Sequence, residues 1–195
     1  MKNTQMKSKK ENNKKIILTG TAGSGKTSII NFLKKKGYIV IQEAATFIIK
    51  KEQRLGNQEP WKYVNFIDKI VSLQKRRECK SNTVSGLNQI QFFDRSPICT
   101  YALATYLGFS PTPLLCNEID RILENNSYEN QVFFIQNLGF ITPTNERKID
   151  FNEALKFEQI HKDVYRKFGF NCIHIKPKPI EKRTNDILKL INQEI

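Results

Sequence analysis

The run Gly20-Thr21-Ala22-Gly23-Ser24-Gly25-Lys26-Thr27 constrains this chain more than any other feature in it. It follows the short apolar run KIILTG and opens TSIINFLKKK, whose Ile29, Ile30 and Leu33 share one helical face. A strand, a glycine-rich turn and a helix start are the context in which a G-x-x-x-x-G-K-T pattern holds phosphate. Gly20, Gly23 and Gly25 admit backbone conformations closed to residues with a Cβ, so successive N–H groups can converge on an anion. Thr21, Ala22, Ser24 and Ser28 belong to the same cradle, and the helix N-terminus adds about half a positive charge. Lys26 is expected to reach the β- and γ-phosphates of a nucleotide, and the Thr27 hydroxyl to ligate Mg²⁺. ATP and Mg²⁺ are therefore the expected cofactors.

The rest of the chain alternates short apolar runs with helical stretches. YIVIQ (38–42), IQFFD (90–94), VFFIQ (132–136) and CIHIK (172–176) read as strands two to five. Helices are expected over EAATFIIKKEQRL, over 60–80 opening at Pro60, from Pro97 behind an N-cap at Ser96, and from Pro113 to Leu123. Two more fall at 152–168 and 179–194. For 60–80 the expected buried stripe is Val64, Ile67, Ile70, Val71 and Leu73. Strands that are continuously apolar, rather than alternating, belong to a parallel sheet covered on both faces. The expected fold is a three-layer α/β domain over 15–195 with a five-stranded, mainly parallel sheet. Helices of 43–80 and 96–125 exceed a minimal crossover and are expected to form acceptor-binding or lid elements. Residues 1–14 read as a basic, flexible leader.

A net charge of +13 attracts nucleotides, nucleic acids and anionic lipids alike. Much of it sits at the start, where Lys2, Lys7, Lys9, Lys10, Lys14 and Lys15 stand against Glu11 alone. Lysines outnumber arginines 24 to 8, and planar recognition of bases and phosphates favours arginine. Nucleic acid is thus a partner the composition permits without favouring. Cys79, Cys99, Cys116 and Cys172 are far apart and form no Cys-x-x-Cys pair, so reduced thiols in the cytoplasm are expected rather than disulfides or zinc. No apolar stretch has the ~20 residues needed to cross a bilayer.

Asp94 closes the third apolar run, a place from which a carboxylate beside the phosphate loop holds Mg²⁺ directly or through water. Capping the next helix is its other available role. Arg95 beside it is permanently charged and suited to clamping phosphate or ordering an acceptor. Glu43, in IQEAA, follows strand two at the start of a helix, whose N-terminus a carboxylate complements.

The segments LTGTAGSGKTSIINFLKKKGYIVIQEAA and FFDRS, with a polar loop containing NERK, resemble the AAA-domain P-loop family that includes nicotinamide-riboside kinase domains. More distantly they are similar to deoxynucleoside and thymidylate kinases. The resemblance covers roughly 15–190 and implies a P-loop NTPase fold. It also implies that Glu43 faces the acceptor hydroxyl as a general base. The loop NLGFITPTNERKID looks like the lid of small-molecule kinases, in which Arg147 and Lys148 would close over the triphosphate. Relatives carry an Asp several residues after the Asp-Arg pair, where this chain reads SPICTYALA. The implied activity is Mg²⁺-dependent phosphoryl transfer from ATP to a small, nucleoside-like or cofactor-precursor acceptor. Two other readings stay open: a nucleotide-gated binding module with slow or no transfer, and phosphorylation of polynucleotide ends.

Weaker constellations complete the reading. Glu158 and His161 are expected as a pair on a helix surface, half of a carboxylate di-metal pattern whose second copy is missing. Trp61, Tyr63 and Phe66, with Gln74, either line a ring-binding pocket or fill the core. Lys176-Pro177-Lys178-Pro179 is either a rigid turn or part of an adenine cradle.

Overall fold

The structure is a computed structural model, and it describes residues 13–20, 23–83, 90–139 and 150–192. Five strands, β1 (Lys14–Thr19), β2 (Ile39–Ile41), β3 (Ile90–Asp94), β4 (Gln131–Ile135) and β5 (Asn171–Ile175), form one sheet in the order β2-β3-β1-β4-β5. Every pairing is parallel, with Leu18 opposite Asp94 and Phe133 opposite Ile173. The mainly parallel sheet expected from the apolar runs is therefore wholly parallel.

The helices are α1 (Lys26–Lys35), α2 (Ala44–Arg54), α3 (Asn65–Ser81), α4 (Pro97–Tyr106), α5 (Pro113–Glu124), α6 (Phe151–Lys167) and α7 (Ile180–Asn192). The pleat sorts alternate strand residues onto opposite faces. Ile16, Leu18, Phe92, Phe133 and Ile135 pack with α1 and α7, whereas Ile17, Phe93 and Val132 pack with α2 to α6. Burying both faces is what demanded continuously apolar strands.

Two expectations change here. The stretch 60–80 is not one helix: Pro60–Lys62 is a single 3-10 turn, Tyr63 is extended, and α3 starts at Asn65. Val64 consequently leaves the buried stripe and is exposed, while Phe66 takes its place. Lys15, counted with the basic run at the start of the sequence, is not a solvated charge either. It is buried on β1 and paired with Glu78 of α3, which also accepts a hydrogen bond from Arg121 of α5 at 3.0 Å. Burial pushes the Glu78 carboxyl up, but the cations of Lys15 and Arg121 outweigh it and hold the carboxyl below its ordinary range. Among the described residues no helix is long and apolar enough to cross a membrane.

Candidate active site

Parallel strands place all their carboxyl ends along one edge, and the chemistry-bearing residues collect there. β1 ends at Thr19, and Gly20 turns with φ +129 against the Ile135 carbonyl of neighbouring β4. Gly25 is the N-cap of α1 with φ +79, its carbonyl accepting from Ser28 and Ile29 at 3.1 and 3.2 Å. No acidic residue stands in the first turn of α1, so its N-terminal field is available to an anion. Lys26 is buried as the first residue of α1, and Thr27 and Ser28 are exposed beside it. Gly23 and Ser24 complete the described part of the loop; Thr21 and Ala22, expected in the cradle, lie outside the described residues.

Asp94 ends β3 opposite Leu18, on the same sheet edge as the loop, and is 7% exposed. Its capping role has a competitor only in part: Ser96 occupies the N-cap of α4 but makes no side-chain cap bond. Its hydroxyl is instead hydrogen-bonded to Tyr165 at 3.0 Å. Oxygen donors from Thr27 and Asp94 suit Mg²⁺, which keeps waters and phosphate oxygens for its remaining positions. No cluster of three or more His, Cys, Asp or Glu able to hold a metal occurs among the described residues.

Arg95 adopts φ +73, a left-handed conformation that a side chain resists. Its N–H donates to Leu18 O at 3.2 Å. The turn sends its guanidinium across the sheet edge, where Nε donates to Glu43 Oε1 at 2.6 Å. The other Glu43 oxygen accepts from the Thr46 hydroxyl at 2.6 Å. Arg77 of α3 anchors the same turn through the carbonyls of Gln42 and Glu43, both at 2.8 Å. Glu43 does occupy the N-cap position of α2 but makes no side-chain cap bond; its carboxylate serves Arg95 instead.

His161 is the partner that sequence reasoning missed. It is not on a surface: it is fully buried, and Glu158 is buried too, accepting from Asn137 and Lys162 at 3.0 and 2.8 Å. His161 Nδ1 lies 2.9 Å from the Phe157 carbonyl, which can only accept, so the ring hydrogen is on Nδ1. Nε2 therefore offers its lone pair to Arg95 Nη1 at 3.3 Å. Burial and then the charge of Arg95, with a smaller push from Lys26, take the imidazole down to about 3, against an upward pull from the Phe157 carbonyl that exceeds the Lys26 effect. Lys26 and Arg95 thus act on one neutral ring. The signal was available in the sequence, since His161 sits at stripe positions with Ala154, Phe157, Val164 and Tyr165, all buried.

That neutral histidine gives the fold a measurable pH dependence. An unfolded histidine takes up a proton near pH 6.5 while the folded one refuses it down to about 3. The stabilisation is complete above 6.5 and drains as pH falls, approaching about 1.4 kcal/mol per pH unit. In denaturant titrations from pH 6.5 to 4.5, Glu52 and Glu78, both held low in the fold, lose stability alike in wild type and variant and cancel in the difference. The difference between wild type and His161→Gln should show that slope; a flat difference would refute the assignment.

Between α2, the 3-10 turn, α3, α4 and α6 lies a cavity of about 310 Å³. Glu43 and Arg95 line it together with Thr100 and Gln74, against walls that include Trp61, Phe66, Tyr106 and Phe157. Of the candidate ring-binding residues, Trp61, Phe66 and Gln74 reach the cavity, whereas Tyr63 is exposed and takes no part in it. No residue of α5 is among its walls. Arg147 and Lys148 lie outside the described residues. A second residue missed from sequence is Arg183 of α7, buried under the phosphate loop with Nη1 donating to Ser24 O at 2.8 Å.

A family model described as an AAA domain matches residues 15–183. The chain belongs to that family. No curated protein matches it. Among solved structures, NadR protein in complex with NR superposes with a TM-score of 0.67 at 13% identity, covering 94% of this chain and 51% of that one. This chain is therefore similar to about half of NadR. Deoxyadenosine kinase from M. mycoides with products dCMP and a flexible dCDP gives 0.59 at 14% identity, covering 92% of this chain and 99% of that one. The same enzyme with bound dCTP gives 0.59 at 17%, with 92% and 99% covered. At these identities the likeness is one of fold: this AAA-domain chain has the P-loop kinase architecture expected of it.

Proposed function

We propose that this AAA-domain chain transfers the γ-phosphoryl group of ATP to the hydroxyl of a small, nucleoside-like or cofactor-precursor acceptor. One observation carries the reading: the cavity that would hold an acceptor is lined by Glu43 and Arg95, and Arg95 directly follows Asp94 on the phosphate-loop edge of the sheet. A ligand in that cavity would place a hydroxyl between a carboxylate and the nucleotide's terminal phosphate. The structural neighbours are consistent with it, being described with deoxynucleotides in one case and with NR, or with NAD and AMP-PNP, in the other.

In this reading the loop amides and Lys26 hold the triphosphate, and Thr27 and Asp94 carry Mg²⁺. The ion, when bound, neutralises charge on the phosphate oxygens. Glu43 accepts the hydroxyl proton through a lone pair left over from its bonds to Arg95 and Thr46. Arg95 keeps that carboxylate aimed and adds positive charge where negative charge accumulates. Trp61 and Phe66 offer apolar and aromatic area to a ring. Gln74 already accepts from the Thr100 hydroxyl at 2.8 Å, so its amide nitrogen is the part left to read an acceptor edge.

The test is γ-labelled ATP with a panel of nucleosides and cofactor precursors. Label should appear on a small acceptor, and Glu43→Gln should lower kcat by about a hundredfold or more while Mg-ATP affinity stays unchanged. Tight nucleotide uptake with no label transferred to any acceptor would favour the nucleotide-gated binding module instead.

A further inference from the structure

We propose that Arg183 is a positioning residue of the phosphate loop: it turns the Ser24–Gly25 peptide so that its N–H faces bound phosphate, and its buried charge takes that phosphate as counter-ion. This rests on reading residues 20–28 as a nucleotide site. Arg183 occupies the buried stripe of α7 with Thr184, Ile187 and Ile191, and it is 1% exposed. Nη1 donates to Ser24 O at 2.8 Å and Nη2 to Gln136 O at 3.1 Å. Gln136 in turn donates its N–H to Ile175 O at 3.1 Å, so the guanidinium ties the loop to the ends of β4 and β5.

The peptide geometry follows from that bond. A trans peptide points its C=O and N–H in opposite directions. Drawing the Ser24 carbonyl toward Arg183 therefore directs the Gly25 N–H to the far side, away from α7. A cation on the carbonyl also polarises the unit and strengthens the N–H as a donor. Gly25 accommodates the arrangement, since a Cβ there would come within 3.1 Å of Nη1.

The charge is the second observation. Arg95 and Arg121 are each held against carboxylates, but among the described residues Arg183 meets only carbonyl oxygens. Among the described residues, its Nε is buried without a hydrogen-bond partner, as is the Ser24 hydroxyl. Burial pulls the guanidinium's proton affinity down, and no anion among the described residues opposes it. A buried cation without a counter-ion is costly, and here it lies directly beneath the cradle expected to receive the most negative part of the ligand. Nucleotide binding would supply the missing charge.

The experiment compares wild type, Arg183→Gln and Arg183→Lys by calorimetric titration with Mg-ATP and by ligand-free thermal unfolding. Arg183→Gln should bind Mg-ATP about tenfold more weakly or worse, while its ligand-free unfolding temperature is no lower than wild type. Arg183→Lys, which keeps the charge, should bind within about threefold of wild type. Three results would overturn the proposal: wild-type affinity in Arg183→Gln, equal losses in both variants, or a ligand-free Arg183→Gln that unfolds earlier or does not fold. The last would make the arginine a strut of the fold. Absence of Mg-ATP binding by wild type would remove the loop reading itself, and this one with it.

Discussion

Replacing Lys26 by alanine should cut phosphoryl transfer by about a thousandfold or more and weaken Mg-ATP binding by about a hundredfold. Lys26 opens α1 where the helix N-terminus already favours anions, and its burial keeps the ammonium out of solvent screening. The same charge acts on His161, which places it within electrostatic reach of the Arg95–Glu43 pair. Circular dichroism of Lys26→Ala should match wild type, because the ten-residue helix α1 buries Ile29, Ile30 and Leu33 independently of it. Calorimetry and labelled-ATP turnover check the two effects. Unchanged turnover in a folded Lys26→Ala would end the phosphotransfer reading.

Gly20→Ala should destabilise the fold by about 3 kcal/mol, lowering the unfolding temperature by roughly 10 °C. Two costs combine at this residue. Its φ of +129 is one that a side chain resists, and a Cβ would press on the backbone carbonyl oxygen of Ile135. Backbone at the centre of a sheet cannot step aside as a flexible side chain would, so the loop or β4 must shift. Nucleotide affinity should fall together with stability, since the turn that starts the cradle is displaced. Thermal unfolding with and without Mg-ATP separates the two; a wild-type unfolding temperature would contradict the contact.

Much of the fold was legible because its signals are local. Each of the five apolar runs became a strand to within a residue or two, since a strand buried on both faces leaves no room for polar alternation. The proline-led starts of α4 and α5 appeared where side-chain chemistry put them. Local signals also misled. Pro60 does open a helical turn, but Tyr63 is extended, and the break turns Trp61 into the cavity wall rather than continuing the helix. Ser96 has the residue type of a cap, yet a nearby Tyr165 hydroxyl wins its side chain. Glu158 and His161 have the spacing of a surface pair on an isolated helix. They nevertheless lie on the inward stripe of α6 with Ala154, Phe157, Val164 and Tyr165 and are buried.

The sequence alone determined the phosphate loop, the strand before it, the helix after it and the carboxylate that ends β3, because each is written in a few contiguous residues. The tertiary structure decided which distant charges meet. Arg95 finds Glu43 and His161, Lys15 finds Glu78, and Arg183 comes under Ser24. Those partners lie 52, 66, 63 and 159 residues apart along the chain. Hydrophobic periodicity says which face of an element is buried but not which neighbour it is buried against. The strand order β2-β3-β1-β4-β5 supplies that information, and each buried charge then settles on whichever polar group the order brings within reach.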